Sequence, residues 1–169
     1  MIGKTYAIPP QPHDEAHTRL VPAGAVTFGV EYRDLDPEML RATYADDEAQ
    51  LAELEEKSPE GGFYDEGVSI HVFDTQDMHE YVRFDVFAGE PHYHYNHKVA
   101  PGGEVVNNVI DFDVVANGEM LPWVLAALRT RLPALLENAG GGHLVARLEQ
   151  ATIDAAVDQV TALAEEATR

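Results

Sequence analysis

Apolar and polar residues alternate with a period of two over residues 25–32, where Val26, Phe28 and Val30 interleave with Thr27, Gly29 and Glu31. That period marks a strand with one face in the core. Asp36-Pro37 then supplies a cap and a proline suited to the first helical position. Leu40, Tyr44, Leu51 and Leu54 recur at helical spacing, so a helix is expected to about Lys57, where Ser58-Pro59-Glu60-Gly61-Gly62 stops it. Three further strands are expected. Val68, Ile70 and Val72 mark one that ends near Asp74, Val82, Phe84, Val86 and Ala88 mark the next, and Val106, Ile110, Phe112 and Val114 mark the last, within 104–115. Residues 75–79 read as a hairpin connection, and 90–103, with two prolines and a Pro-Gly-Gly turn, read as the link before the last strand.

The C-terminal third is helical. Leu121, Leu125, Leu128, Leu132 and Leu135 form one stripe, with Asn117 as a cap and Pro133 expected to kink or break the helix. Gly140-Gly141-Gly142 is the turn into a second helix over 143–167. The order β-α-β-β-β-α-α predicts an α+β fold: a roughly four-stranded, mostly antiparallel sheet with helices packed on one face and a C-terminal helical hairpin. Residues 1–24, punctuated by Pro9, Pro10, Pro12 and Pro22, read as an N-terminal arm ahead of a single domain, 25–169.

Composition narrows the function. At 169 residues, 45% of them hydrophobic and 24% charged, the chain is that of an ordinary globular domain. Its formal charge of -19 is not ordinary. A polyanion would be repelled by such a surface, which disfavours nucleic acid and anionic membranes as partners. The sequence contains no cysteine, so any metal must be held by His, Asp, Glu or neutral oxygens. No secretory signal and no apolar run of spanning length is visible, and the cytoplasm is the expected location.

The densest chemistry lies in Glu90-Pro91-His92-Tyr93-His94-Tyr95-Asn96-His97. In a strand, i and i+2 share a face, so His92 and His94 converge as a metal-binding pair. Glu90 has the same parity, and His97 lies where it could swing in. Two or three imidazoles with a carboxylate and an open position suit Zn, Fe, Mn, Ni or Cu. Parity is expected to place Glu90, His92 and His94 with the apolar Val82, Phe84 and Val86. The His-x-His resembles that of cupins locally, but Glu104 lies too far along and the C-terminal half is helical, so that family is not implied.

A second set, His71, Arg83, Asp85 and Asp111, with Asp113, occupies the opposite parity on the strands. Arg83 could pair with Asp85 or Asp111, and His71 with a carboxylate could act as a general base; the two sets could meet in one pocket. Two further motifs carry little. In His13-Asp14-Glu15-Ala16-His17 the Glu stands one position late for a zinc-protease motif, and the glycines at 140–142 follow a helix, unlike a phosphate loop.

The leading expectation is therefore a small metal-dependent enzyme. His92, His94, His97 and Glu90 would serve as metal ligands or, for Glu90, as a base, and His71, Arg83, Asp85 and Asp111 are the further catalytic candidates. The alternative is a non-catalytic, dimeric protein that binds a ligand or partner on its polar sheet face. A homodimer is expected in either case, because a sheet covered on one side leaves a face to bury.

Overall fold

The computed structural model describes residues 3–169. Its strands are β1 (Lys4–Tyr6), β2 (Arg19–Ala23), β3 (Val26–Leu35), β4 (Asp65–Asp74), β5 (Glu80–Phe87), β6 (His92–His97) and β7 (Val106–Asp111). They form one seven-stranded sheet in the order β1-β7-β6-β5-β4-β3-β2, with every neighbouring pair antiparallel. The expectation of a roughly four-stranded sheet is overturned. The three additional strands are β1, β2 and β6. The first two come from the arm and close the two edges of the sheet. Pro22 does not exclude β2, because an edge strand has one side free of ladder bonds. The third, β6, lies within the stretch read as a link, because its residues are imidazoles, phenols and an amide in place of an apolar alternation.

From β2 to β7 the chain is a simple meander, in which each strand pairs with the next. β1 breaks that order by lying beside β7, at the far edge from β2. Residues 7–18 must therefore cross the width of the sheet. They do so over its polar face: Gln11 is bonded by both Arg33 and Arg83, and the His13 ring packs on Phe73 with centroids 4.9 Å apart.

The other face carries the core. Phe28, Ile70, Val82 and Phe84 are buried there beneath α4 (Met120–Thr130), α5 (Leu132–Asn138) and α6 (Gln150–Ala167). The leucine stripe is rotated from the expected one. In α4 the buried residues are Met120, Val124, Ala127 and Leu128, whereas Leu121 and Leu125 are only partly buried. The helix breaks at Arg131, and Pro133 falls in the first turn of α5, where its missing N–H costs nothing. Between α5 and α6, residues Gly142–Arg147 form a 3-10 helix, where a continuous second helix was expected.

The segment after β3 is two short helices, not one: α1 (Pro37–Thr43), capped by Asp36, and α2 (Glu48–Lys57), capped by Asp47. A four-residue α3 (Val114–Asn117) follows β7. Leu40 of α1, Tyr44 at its C-terminal end and Leu54 of α2 join the arm over the polar face, so helices do not keep to one side. That face is covered, and the reason given above for a dimer does not arise from it. No helix among the described residues is long and apolar enough to cross a membrane.

Candidate metal centre

The strand register lines polar side chains into rows across the sheet. Glu31 of β3, Ser69 of β4, Asp85 of β5, His92 of β6 and Asp111 of β7 are successive cross-strand partners; so are Gly29, His71, Arg83, His94 and Val109. His92 and His94 thus stand on the polar face. The expectation that they share a face with Val82, Phe84 and Val86 is corrected: a parity argument cannot be carried through the turn at 88–91, which resets it.

Asp85, His92 and His94 form the tightest group. One ligand atom from each lies within 4.8 Å of the other two. Nε2 of His92 is 3.2 Å from Asp85 Oδ2, and Nε2 of His94 is 3.1 Å from the same oxygen. The far sides of both rings are already committed. Nδ1–H of His92 donates to the backbone carbonyl of Glu90 at 2.7 Å. Nδ1–H of His94 donates to Asn107 Oδ1 at 2.8 Å, and Asn107 is oriented in turn by its own Nδ2, which donates to the Ile8 carbonyl at 3.2 Å. The other carboxylate oxygen, Asp85 Oδ1, accepts from the Ser69 hydroxyl, with Arg33 Nη1 3.9 Å away. Partners of this kind fix the tautomer and direction of a ligating imidazole.

With Nδ1 protonated on both rings, two Nε2 lone pairs and a carboxylate oxygen point at one another. Three acceptors at such range repel unless a cation or a proton lies among them. Burial disfavours the charged form of Asp85, but its contacts with His92 and His94, and the charge of Arg83, outweigh it and hold the carboxyl well below its ordinary range. Burial also opposes a proton on His92, yet the bond to Asp85 prevails and raises its pKa. On the buried His94 burial wins, and its pKa is lowered.

Beside this group lies a second buried network. His71 Nδ1 is 2.5 Å from Glu80 Oε2, and its Nε2 lies 3.7 Å from Glu31 Oε1 with no hydrogen bond. Arg83 contacts Glu80 at 3.0 Å through Nε, and Asn96 Nδ2 donates to the same carboxylate at 2.9 Å. Glu80 reaches His71 because of a bulge: Val72 pairs with Val82 but Phe73 pairs with Glu80, so Tyr81 is the extra residue and Glu80 is re-aimed onto the polar face. Burial would raise the Glu80 pKa; Arg83 and His71 overcome it and hold the carboxyl at about 2. Burial likewise opposes charge on His71, and the two carboxylates raise its pKa nonetheless.

The Asp85, His92 and His94 group lines a cavity of about 400 Å³, roofed by the arm and by α1 and α2, and Arg83 is the member of the second network that reaches it. Of the residues singled out in the sequence, His92, His94, Arg83, Asp85, Glu90 and Asp111 line it. Glu90 is exposed, and it is its backbone carbonyl that holds His92. Asp111 is exposed beside His92. His97 lies at the opposite parity from His92 and His94, next to Gly140 behind the sheet, and is not brought to the group. His71 sits one strand away, bound to Glu80. His17 pairs with Asp14 on the surface, apart from these groups. The sequence reading missed Glu31, Arg33, Ser69, Glu80 and Asn107. For Glu31 and Arg33 a signal existed, since they continue the Thr27, Gly29 parity of β3; for Glu80 the bulge hid it.

Together these features define an α+β domain: a seven-stranded antiparallel sheet, helices behind it, and a buried Asp/His/His group facing a roofed cavity. Residues 20–164 match the family described as "Domain of unknown function (DUF7700)", and the chain belongs to that family. No curated protein and no solved structure matches it. The matched span includes every strand that carries the Asp/His/His group and leaves out β1 and the crossing segment.

Proposed function

We propose that Asp85, His92 and His94 hold a divalent transition metal, and that the protein is a small metal-dependent enzyme acting on a molecule bound in the adjoining cavity. The observation that carries this reading is the convergence of three acceptor atoms whose outer partners are already fixed. The 3.1 and 3.2 Å separations also fit a shared ion. Donors bound at ~2.0–2.1 Å to one metal lie about 2.9 Å apart in an octahedron and about 3.4 Å apart in a tetrahedron. Two imidazoles and one carboxylate leave positions for water and substrate, as catalytic sites require, and suit Zn, Fe, Mn, Ni or Cu. A bound ion would acidify water or polarise a substrate oxygen, chemistry common to hydrolysis, elimination, isomerisation and oxygenation. Glu90 and Asp111, which line the cavity, would be the carboxylates to move a proton.

Metal analysis of protein produced with these metals supplied is the direct test. About one equivalent is expected in the wild type and none in His92→Ala. Because an ion that binds only the native state stabilises it by mass action, a chelator should lower the melting temperature of the wild type and leave His92→Ala unmoved. Affinity should weaken below about pH 6, as the ligands take up protons. Wild-type protein that retains no metal after incubation with each ion, and melts identically with and without chelator, would leave a proton shared with Asp85 as the occupant of the site.

A further inference from the structure

The cavity holds two buried cations whose hydrogen bonding is incomplete. Arg33 is 7% exposed and Arg83 2%. Arg33 contacts Glu31 through Nε at 3.1 Å and donates through Nη2 to Gln11 Oε1 at 2.6 Å. Arg83 contacts Glu80 through Nε and donates through Nη2 to the Gln11 carbonyl at 2.5 Å and to Glu80 at 3.2 Å. Neither Nη1 makes a hydrogen bond among the described residues; the nearest acid to that of Arg33 is Asp85, at 3.9 Å. Both guanidinium groups are tied to the same residue, Gln11, so two like charges sit close together under a low-dielectric roof. Glu31, Glu80 and Asp85 offset that repulsion, while the two Nη1 groups are left to donate to a further acceptor.

Charge balance sharpens the point. Arg33, Arg83 and the His71 imidazolium face Glu31, Glu80 and Asp85, so the buried network is neutral by itself. A divalent ion on Asp85, His92 and His94 adds two positive charges with no buried anion to match them. Glu90 and Asp111 lie on the rim and are exposed. Apolar side chains make up one part of the wall, with Ile8, Leu35, Leu40, Leu54, Phe63 and Phe87 facing the space, and Lys4 and Lys57 add two further cations to it. Two guanidinium groups, each with an uncommitted Nη1, suit a carboxylate, and the apolar part of the wall suits a hydrocarbon body.

Resting on the metal reading for its chemistry, we infer that the substrate is a small carboxylic acid with an apolar body, its carboxylate held by Nη1 of Arg33 and Arg83 beside the metal and its body under α1 and α2. A protein of charge -19 would otherwise repel such an anion; a divalent ion beside the neutral arginine–carboxylate network would turn the local charge positive.

Calorimetric titration with phenylacetate and with phenylacetamide, which is similar in shape but uncharged, tests this on the whole chain, as isolated and after chelation and reloading with zinc. The acid should bind at least ten times more tightly than the amide to the zinc-loaded wild type. Arg33→Gln should abolish that preference by weakening the acid alone, with zinc content unchanged. If Arg33→Gln does not fold, the ratio of acid to amide on the wild type still decides. Equal affinities, or no binding of either to zinc-loaded protein, would overturn the inference and leave the metal site standing. A preference for the acid in protein that takes up no metal would sustain the anion site and remove the metal reading.

Discussion

At the residue scale, the buried His71–Glu80 pair ties folding to pH in a way that can be worked out. Glu80 is held at about 2, against 4.5 in the unfolded chain, so its contribution is present above about pH 4.5 and fades as pH falls towards 2. His71 is raised above 6.5, so its contribution is complete below that value and is lost as pH rises through the folded-state pKa. The pair is therefore worth most between those two ordinary values. Denaturant melts at a series of pH values should show wild-type stability falling on the alkaline side of neutrality. In His71→Gln that fall should flatten, and stability near pH 6 should drop by about 3 kcal/mol, the range expected when one partner of a buried pair is removed. Parallel curves for the two proteins would mean that His71 is neutral when folded. His71 was visible in the sequence as a polar residue at the odd parity of its strand. Its partner was not, because Glu80 reaches the face only through the bulge at Tyr81, and a bulge leaves no period to read. The same limit hid the link between Asp85 and the two histidines. Each side of that group was legible on its own strand, whereas the pairing of β5 with β6 depends on a turn whose register the sequence does not state.

At the scale of elements, strands facing the helices were legible because one whole parity is apolar. The strands without such an apolar alternation were not. β6 alternates imidazole with phenol, β1 is three residues long, and β2 carries a proline, so hydrophobic period says little about any of them. Helix existence came through well, but helix phase did not. A stripe of leucines suggested Leu121 and Leu125 as core positions, while Met120, Val124 and Ala127, less conspicuous side chains, take the buried face of α4. The difference is measurable. Leu128, fully buried, should cost about 2–5 kcal/mol when changed to alanine. Leu121→Ala, at a partly buried position, should cost under about 1.5 kcal/mol, since less apolar area returns to water. Equal losses in denaturant melts would mean that α4 is rotated from the phase described here.

At the scale of the whole molecule, charge is the dominant feature. Thirty acidic residues face eleven basic ones. Two of the eleven, Arg33 and Arg83, are spent inside the sheet's polar face. Lys57, Lys98 and Arg129 each pair with a carboxylate at the surface, through Glu53, Asp77 and Asp158. Most of the acidic surface has no cation to meet it, so mutual repulsion in the folded state should exceed what the few exposed pairs return. Such pairs contribute about 0–1 kcal/mol each. Added salt weakens both effects, but it acts most on charges separated by more than the Debye length, about 10 Å at 0.1 M. Repulsion spread over a surface belongs to that class, and the enclosed ion pairs around Glu80 and Asp85 do not. Sodium chloride raised from ~0.01 to ~0.5 M should therefore stabilise the fold by one to a few kcal/mol, and at about 2–4 °C per kcal/mol for a chain of this size the melting temperature should climb by several degrees. Most of the rise should come by ~0.2 M, since screening saturates once the Debye length is shorter than the spacing of the surface charges. A melting temperature that is flat or falls with salt would mean that attractive pairs outweigh the excess acid, and that the negative surface is neutral in its effect on folding.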